Sequence, residues 1–403
     1  MTKTTQYKNT PIGPIPTDWE VKNFGGVVKI EGGSQPPLKN FIYEKREGYI
    51  RLIQTRDYRT DKYITYIPIE LAKKFCKKDD IIIGRYGPPI FQIFKGLEGA
   101  YNVALMKAIP NLDIVDKDYT YYFISRPELR SYLEGLSQRS GGQTGVEIDR
   151  LNEYPFPLPP LPEQQKIAEV LSTWDKAIQE TDAIIKKLEA RNKALATSLL
   201  TGESRIEAFK NSPSAKLEIK DVAKEISLKN KEDHNYTVFS CTKYNGLVPS
   251  LEYFGKKIYS DNLKTYKIIK RNQFAYATNH IEEGSMGILE KEDIGLISPM
   301  YTIFEFNENV NLDYIFKMLK SDFYINEYKR RMEGSIDRRG GLRWSAFAQI
   351  KINLPSIEEQ NAIAEILNTA NQEVKQYQQK LEALKLQKKG LMQQLLTGKV
   401  RTV

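Results

Sequence analysis

Two stretches of this sequence repeat one helical pattern, LPEQQKIAEVLSTWD at residues 161–175 and SIEEQNAIAEILNTAN at residues 356–371. When Glu163 is placed on Glu359, the copies align without a gap over 43 positions, and 15 of these positions are identical. Such a match indicates an internal duplication of about half the chain. We therefore expect a fold that is built from two related halves.

Each copy has the end signals of one long helix. Pro162 suits the first turn of copy one, and Ser356 with Glu359 forms a capping-box pattern in copy two. Both copies finish in Leu-Leu-Thr-Gly, where Gly202 and Gly398 can end the helix in a left-handed conformation. About 38 residues lie between these signals, which predicts helices roughly 55–60 Å long.

The second half of each helix carries a coiled-coil seam, in which spacings of three and four residues alternate. The seam positions are Ile178, Thr181, Ile185, Leu188, Asn192, Leu195 and Leu199 in copy one, and Val374, Tyr377, Leu381, Leu384, Lys388, Leu391 and Leu395 in copy two. We expect an antiparallel pair, because a two-fold duplication then places the linked domains at opposite ends. The alternative is that each helix buries its stripe on its own domain.

The first half of each helix has a different apolar face, which begins with amide side chains. Its main residues are Gln164, Ile167 and Leu171 in copy one and Gln360, Ile363 and Leu367 in copy two. A face of this kind can pack on its own globular domain or on a partner subunit, and the pattern alone leaves both open.

The sequence therefore divides into four segments. These are a domain at 1–160, a helix at 161–205, a second domain at 206–355 and a second helix at 356–403. The two domains echo each other, since a basic turn precedes an apolar, strand-like run at residues 77–83 and again at 270–276. Short strands, Gly and Pro turns and short helices predict a mixed α/β fold with two globular domains separated by a two-helix coiled coil.

The polar loops of these domains are rich in Arg, Gln and Asn, which make bidentate contacts with guanine and adenine edges, and in glycines that allow close approach to phosphates. The DNA-binding candidates are Arg51, Gln54, Arg56, Arg59, Arg85, Tyr86, Arg139 and Gln143 in the first domain, and Lys243, Tyr244, Asn245, Asn279, Arg338, Arg339 and Arg343 in the second. For any one of them, a solvated surface role is the competing interpretation.

Composition supports a polyanionic partner without requiring one. There are 60 Lys and Arg residues against 51 Asp and Glu, a net charge of +9, and only two cysteines in 403 residues. No apolar run is long enough to cross a bilayer and the N-terminus lacks a signal-peptide core, so we expect a cytoplasmic protein with no membrane partner.

Catalytic motifs are not evident in the sequence. Residues 86–90, Tyr-Gly-Pro-Pro-Ile, lack the leading Asn or Asp and the trailing aromatic of an amino-methyltransferase loop, and there is no phosphate-binding G-x-x-x-x-G-K-[ST]. His234 and His280 belong to no metal-ligand pattern, so we expect no metal and no cofactor in this chain. The alternatives are a self-contained methyltransferase or nuclease, and a coiled-coil scaffold that does not bind nucleic acid.

The layout of two variable domains alternating with two repeated helices resembles the specificity subunit (HsdS) of type I restriction–modification enzymes. The run Leu158-Pro159-Pro160-Leu161-Pro162-Glu163-Gln164 and the opening Ile15-Pro16-Thr17-Asp18-Trp19-Glu20-Val21 strengthen the resemblance, which spans essentially the whole chain. It implies that each domain is a target recognition domain reading one half of a bipartite double-stranded DNA site. It also implies that the antiparallel helices fix the spacer between the half-sites.

The resemblance also implies the partners. Two methyltransferase (modification) subunits would dock on the helices and domains and bring S-adenosylmethionine and adenine N6-methylation, and restriction subunits can join to cleave unmodified DNA. On this basis we assign the face containing Gln164, Ile167 and Leu171, with its copy at Gln360, Ile363 and Leu367, to partner binding.

Overall fold

A computed structural model describes residues 6–87, 89–137, 145–333 and 341–402. The chain separates into two compact units, Met1–Asp182 with Gln379–Val403 (unit 1) and Ala183–Gln378 (unit 2). These bounds differ from the four predicted segments, because each unit combines one globular domain with the start of its own long helix and the end of the other.

Within the described ranges, unit 1 contains twelve strands and the first four helices. The strands are β1 (Tyr7–Thr10), β2 (Gly13–Pro16), β3 (Glu20–Asn23), β4 (Val28–Gly32), β5 (Tyr49–Ile53), β6 (Tyr66–Pro68), β7 (Phe75–Cys76), β8 (Ile81–Gly84), β9 (Ile93–Phe94), β10 (Gly99–Tyr101), β11 (Leu105–Pro110) and β12 (Pro155–Leu158). The helices are α1 (Lys117–Ile124), α2 (Pro127–Ser137), α3 (Ile148–Glu153) and α4 (Leu161–Thr201), of which α4 ends in unit 2.

Unit 2 contains the remaining elements. Its strands are β13 (Ser214–Glu218), β14 (Ala223–Ile226), β15 (Val238–Thr242), β16 (Gly246–Pro249), β17 (Lys267–Lys270), β18 (Phe274–Ala277), β19 (Met286–Ile288), β20 (Ile294–Ile297), β21 (Tyr301–Phe306) and β22 (Lys351–Pro355). Its helices are α5 (Ile219–Val222), α6 (Ser250–Phe254), α7 (Leu312–Leu319), α8 (Asp322–Glu333), α9 (Trp344–Phe347) and α10 (Ile357–Leu395), of which α10 ends in unit 1.

The two units share one sheet plan, as the duplication predicts. A four-stranded sheet of order β4-β11-β8-β9 in unit 1 corresponds to β14-β21-β18-β19 in unit 2. A second sheet, β6-β5-β10-β7, corresponds to β16-β15-β20-β17, and in each the inner pair (β5 with β10, β15 with β20) is parallel. The strands β8 and β18 are the apolar runs that follow the two basic turns. The mixed α/β prediction is therefore confirmed.

Both long helices end as their sequences predict. Gly202 and Gly398 follow the last turns with φ of +75° and +69°, a conformation that glycine adopts without steric cost. At Gly398 a β-carbon would also lie 2.3 Å from Cδ of Pro16, so no other residue fits there without movement.

The helices run antiparallel within each unit. In unit 2, Asn192 donates its side-chain amide to the carbonyl of Ala370 at 2.7 Å, while Glu189, one turn earlier, accepts from Gln378 at 3.3 Å. In unit 1, Lys388 of α10 forms an ion pair with Asp175 of α4. Residue numbers thus fall along one helix as they rise along the other.

The seam side chains lie at buried or half-buried positions. Those buried are Thr181, Ile185, Asn192, Leu199, Val374, Leu381 and Leu395, and those half-buried are Ile178, Leu188, Leu195, Tyr377, Leu384, Lys388 and Leu391. The apolar stripes are therefore covered within this chain.

The assignment of the first-half face to a partner is wrong for its six named side chains. Gln164, Ile167, Leu171, Gln360, Ile363 and Leu367 are all between 0 and 3 % exposed. The apolar members belong to the cores of their own units, next to Phe156 in unit 1 and Leu354 in unit 2. The face packs on its own domain, which was the other option that the pattern left open.

The amide side chains of this face anchor the domain to the helix. Gln164 donates to the carbonyls of Pro159 (2.8 Å) and Ile114 (3.2 Å) and accepts from the Asp116 amide at 2.8 Å. Gln360 makes the equivalent three bonds in unit 2, and its partners are Pro355 (2.9 Å), Asn309 (3.2 Å) and the Asn311 amide (2.9 Å). The repeated glutamine of this motif is therefore structural.

Candidate nucleic-acid interface

The connection between β5 and β6 carries the first group of predicted DNA contacts. It contains two short helical turns, Thr55–Tyr58 and Asp61–Tyr63. Gln54 and Asp57 form a reciprocal cap on the first turn, and the Gln54 side-chain amide donates to Thr65 Oγ1 at 3.0 Å. Arg51 pairs with Asp61 at 2.9 Å. These bonds hold a polar segment in one conformation at the end of the sheet.

Arg56 and Arg59 lie on this segment with their guanidinium groups near the surface. Arg56 donates to Thr65 Oγ1 at 3.4 Å and lies 5.7 Å from the ring centroid of Tyr63. Arg59 donates to Gln92 Oε1 at 2.7 Å. Since guanidinium groups can form two parallel hydrogen bonds with a guanine edge or a phosphate, this connection can bind DNA once such neutral partners are exchanged.

The pKa values of two ionisable groups of this connection are shifted by burial. Burial raises the pKa of Asp57 above its usual range, although its hydrogen bond from the Gln54 amide opposes the shift. Burial also raises the pKa of Tyr58, whose ring is stacked on Phe94 with centroids 4.3 Å apart. Tyr58 thus packs against the buried cluster that includes Ile53 and Tyr101.

Arg85 and Tyr86 lie on a second loop of unit 1, beyond β8. Tyr86 forms a bridge with Gly145, and the Val146 amide donates to the Arg85 carbonyl at 3.0 Å. The Arg85 guanidinium lies 5.1 Å from the Tyr86 ring centroid. Arg59 reaches this loop through Gln92, so the candidates of these two loops are connected. The candidates Arg139 and Gln143, like Pro88, lie outside the described residues.

The turn between β15 and β16 presents the first candidates of unit 2. Lys243, Tyr244 and Asn245 lie between the paired residues Thr242 and Gly246. The Tyr244 side chain is 82 % exposed, and Lys243 Nζ lies 5.2 Å from its ring centroid. Because β15 corresponds to β5 in the shared sheet plan, this turn occupies the place of the Arg56–Arg59 connection in unit 1.

Asn279 lies on the loop that follows β18, which corresponds to the loop of Arg85 and Tyr86. The Leu342 amide donates to the Thr278 carbonyl at 2.9 Å, as Val146 does to Arg85. Gly341 packs so closely that a β-carbon there would lie 2.3 Å from Asn279 Oδ1. Arg343 is exposed and precedes α9. Arg338 and Arg339 lie outside the described residues.

Several side chains of this interface were missed by sequence reasoning. Thr65, Tyr63 and Gln92 contact the candidate arginines in unit 1, and Tyr253 and Lys320 hold the Lys243–Asn245 turn in unit 2. Tyr63 follows Lys62 as Tyr244 follows Lys243, so a repeated Lys-Tyr pair was a usable signal. The others are brought close only by the fold.

One group of side chains in the described parts of the chain has the geometry to hold a metal ion. His280, Glu282 and Glu283 each offer one ligand atom, and these atoms lie within 4.8 Å of one another. They lie beside Asn279 on the loop after β18. His280 and Glu283 are separated by 3.6 Å, as in an ordinary surface ion pair.

Among the described helices, none is long and apolar enough to cross a membrane.

Comparison with known proteins shows which proteins this chain is similar to. Residues 16–190 match a family model described as the type I restriction modification DNA specificity domain. The MjaVIII specificity subunit of a type I restriction enzyme from Methanocaldococcus jannaschii is 27 % identical, over 96 % of this chain and 94 % of that protein.

Two solved structures share the fold. The S subunit of a type I restriction–modification system from M. genitalium has a TM-score of 0.53 at 15 % identity, with 97 % of this chain and 98 % of that chain covered. The HsdS subunit from Thermoanaerobacter tengcongensis has a TM-score of 0.55 at 15 % identity, with 96 % and 98 % covered. Part of the chain thus matches the specificity domain, and its whole length is similar to type I restriction–modification specificity subunits, which confirms the predicted resemblance.

Proposed function

We propose that this chain selects the DNA sequence on which a type I restriction–modification complex acts, and that each unit reads one half of a bipartite site. The observation that carries this proposal is a pair of equivalent connections with unlike side chains. After β5, unit 1 presents Arg56 and Arg59, whereas after β15, unit 2 presents Lys243, Tyr244 and Asn245. One scaffold with two different polar surfaces would read two different half-sites, so the target is asymmetric.

The paired long helices supply the spacer between the half-sites. Helix α4 has 41 residues and α10 has 39. A helix of 40 residues is about 60 Å long at 1.5 Å per residue. Rods of this length span more than one turn of DNA, about 34–36 Å, which suits two readers on successive grooves.

The methyltransferase chemistry would come from partner subunits. We assign their docking to the outward faces of the helices, where Leu386 is 71 % exposed and Ile184 and Ile366 are also exposed. Because the duplication gives two related faces, two modification subunits would bind, each with its own S-adenosylmethionine. The chain itself would then be non-catalytic and without a cofactor.

Methylation mapping tests this proposal. Cells that carry the modification genes would be compared with and without this chain, and adenine methylation would be read across the genome. We expect one asymmetric bipartite motif that requires the chain. The same methylation in both strains would contradict the proposal.

A second measurement addresses the alternative of a self-contained enzyme. The purified chain, given S-adenosylmethionine and Mg²⁺, is expected to bind DNA with an affinity that falls steeply with salt, because lysines and arginines displace counterions from phosphates. It is expected to transfer no methyl groups. Turnover by the chain alone would establish the enzyme, and DNA affinity that does not respond to salt would favour the scaffold.

A further inference from the structure

Tyr244 is an aromatic side chain that the fold leaves outside its cores. It lies at the tip of the turn between β15 and β16, and its side chain is 82 % exposed. A large ring in water contributes little to stability, whereas the same ring can stack on any nucleobase. The positive charge of Lys243, 5.2 Å from the ring centroid, adds attraction for a nearby phosphate.

The backbone beneath Tyr244 is held from both sides. The Asn245 amide donates to Thr242 Oγ1 at 3.1 Å, and the Asn245 side chain donates to the Tyr253 hydroxyl at 3.1 Å. Lys320 donates to the Lys243 carbonyl at 2.8 Å. The ring is therefore presented on a rigid turn, so that little conformational entropy is lost when it binds.

Unit 1 presents a similar arrangement in the corresponding connection. Tyr63, between β5 and β6, is 51 % exposed, with Arg56 at 5.7 Å and Lys62 at 5.4 Å from its ring centroid. The local structure differs, since helical turns replace the hairpin. An exposed tyrosine beside cations thus occurs twice, at equivalent places of the two sheets.

We propose that Tyr244 stacks on a base of the second half-site, the one that unit 2 reads, and unstacks one base-pair step. Lys243 contacts the adjacent phosphate. This inference rests on the proposed function and adds the mode of contact. A two-stranded ribbon fits the major groove, and an inserted side chain that separates base pairs makes binding depend on how easily that step deforms. Tyr244 would then determine specificity through the flexibility of the step.

Fluorescent base analogues provide the test. The duplex would contain the motif found by methylation mapping, with 2-aminopurine or pyrrolocytosine placed in turn at each position of the second half-site. The protein would be the full chain with its co-expressed modification subunits. We expect fluorescence to rise at one step with wild-type protein and not with Tyr244→Ala, which should bind roughly tenfold more weakly.

Two further variants identify the interaction. Tyr244→Phe should retain both the fluorescence rise and the affinity, because stacking needs the ring and not the hydroxyl. Phe323→Ala removes another exposed aromatic side chain of unit 2, on α8, and should leave both unchanged. The methylated first half-site should be the same in all variants.

The outcomes separate this inference from the function on which it rests. Wild-type protein that binds the duplex without a fluorescence rise at any position would overturn the stacking. A Tyr244→Phe variant as weak as Tyr244→Ala would also overturn it and indicate a hydroxyl bond to phosphate. Wild-type protein that fails to bind the mapped duplex would instead count against the proposed function.

Discussion

Arg205 and Arg401 occupy the same position of the repeat, three residues after the glycine that ends each long helix. Arg401 donates to both carboxylate oxygens of Glu163, at 2.6 and 2.8 Å, and Glu163 is fully buried and also accepts from Trp19 Nε1 at 3.0 Å. In unit 2, Arg205 makes the equivalent contact with Glu359. Each pair ties the end of one helix to the start of the other.

Removing the Arg401 side chain should destabilise unit 1. We expect Arg401→Ala to lower the free energy of unfolding by about 3 kcal/mol, because it leaves the buried Glu163 carboxylate without its cation. Lys166→Ala breaks an exposed pair with Glu169 and should change the free energy by less than about 0.5 kcal/mol. Urea unfolding measures both. Equal small effects would show that the pair contributes little.

The same variant should change the pH dependence of stability. The hydrogen bond from Arg401 holds the pKa of Asp18 below its usual range. A lowered folded-state pKa adds stability above the unfolded pKa of about 3.9, and this contribution is lost as the pH falls through the folded pKa. The stability difference between wild type and Arg401→Ala should therefore shrink between about pH 5 and pH 3. A constant difference would exclude Asp18 as a contributor.

At the scale of elements, the helix pair is stabilised by its buried seam. Ile185 is 6 % exposed, whereas its neighbour Ile184 is 38 % exposed. We expect Ile185→Ala to cost about 2–4 kcal/mol, since it removes buried apolar atoms and leaves a cavity. Ile184→Ala, the matched control, should cost less than about 1 kcal/mol. Thermal or urea unfolding would measure both variants. Similar losses in the free energy of unfolding would argue against a seam at Ile185.

The elements also show what sequence could and could not predict. Capping residues predict the helix ends, heptad spacing predicts the seam, and the two matching apolar runs predict equivalent strands. These parts of the fold were therefore predictable from sequence. The partner assignment of the Gln164–Leu171 face was not, because an apolar stripe requires cover but does not specify which surface provides it. Likewise Thr65 and Gln92 join the interface only because separate strands bring them to Arg56 and Arg59. No periodicity encodes such contacts.

At the scale of the whole molecule, the length of the two long helices should set the length of the spacer between the half-sites. Deleting seven residues from each helix at paired seam positions shortens both by about 10 Å, or about three base pairs at 3.4 Å each. We expect methylation mapping to show the same two half-sites with a spacer shortened by about three base pairs. Deletion from one helix alone should impair the pairing and abolish methylation. A changed half-site sequence would contradict the claim that the helices set only the spacer length.

The most direct test of the central claim is the methylated motif of variants altered in one unit at a time. Arg56→Ala with Arg59→Ala alters unit 1, and Tyr244→Ala with Asn245→Ala alters unit 2. A side chain that reads a base contributes about 1–3 kcal/mol of discrimination, so each double variant should relax its own half-site and leave the other half-site unchanged. If both double variants relax the same half-site, or weaken methylation equally at all sequences, the two units do not read separate halves of the target.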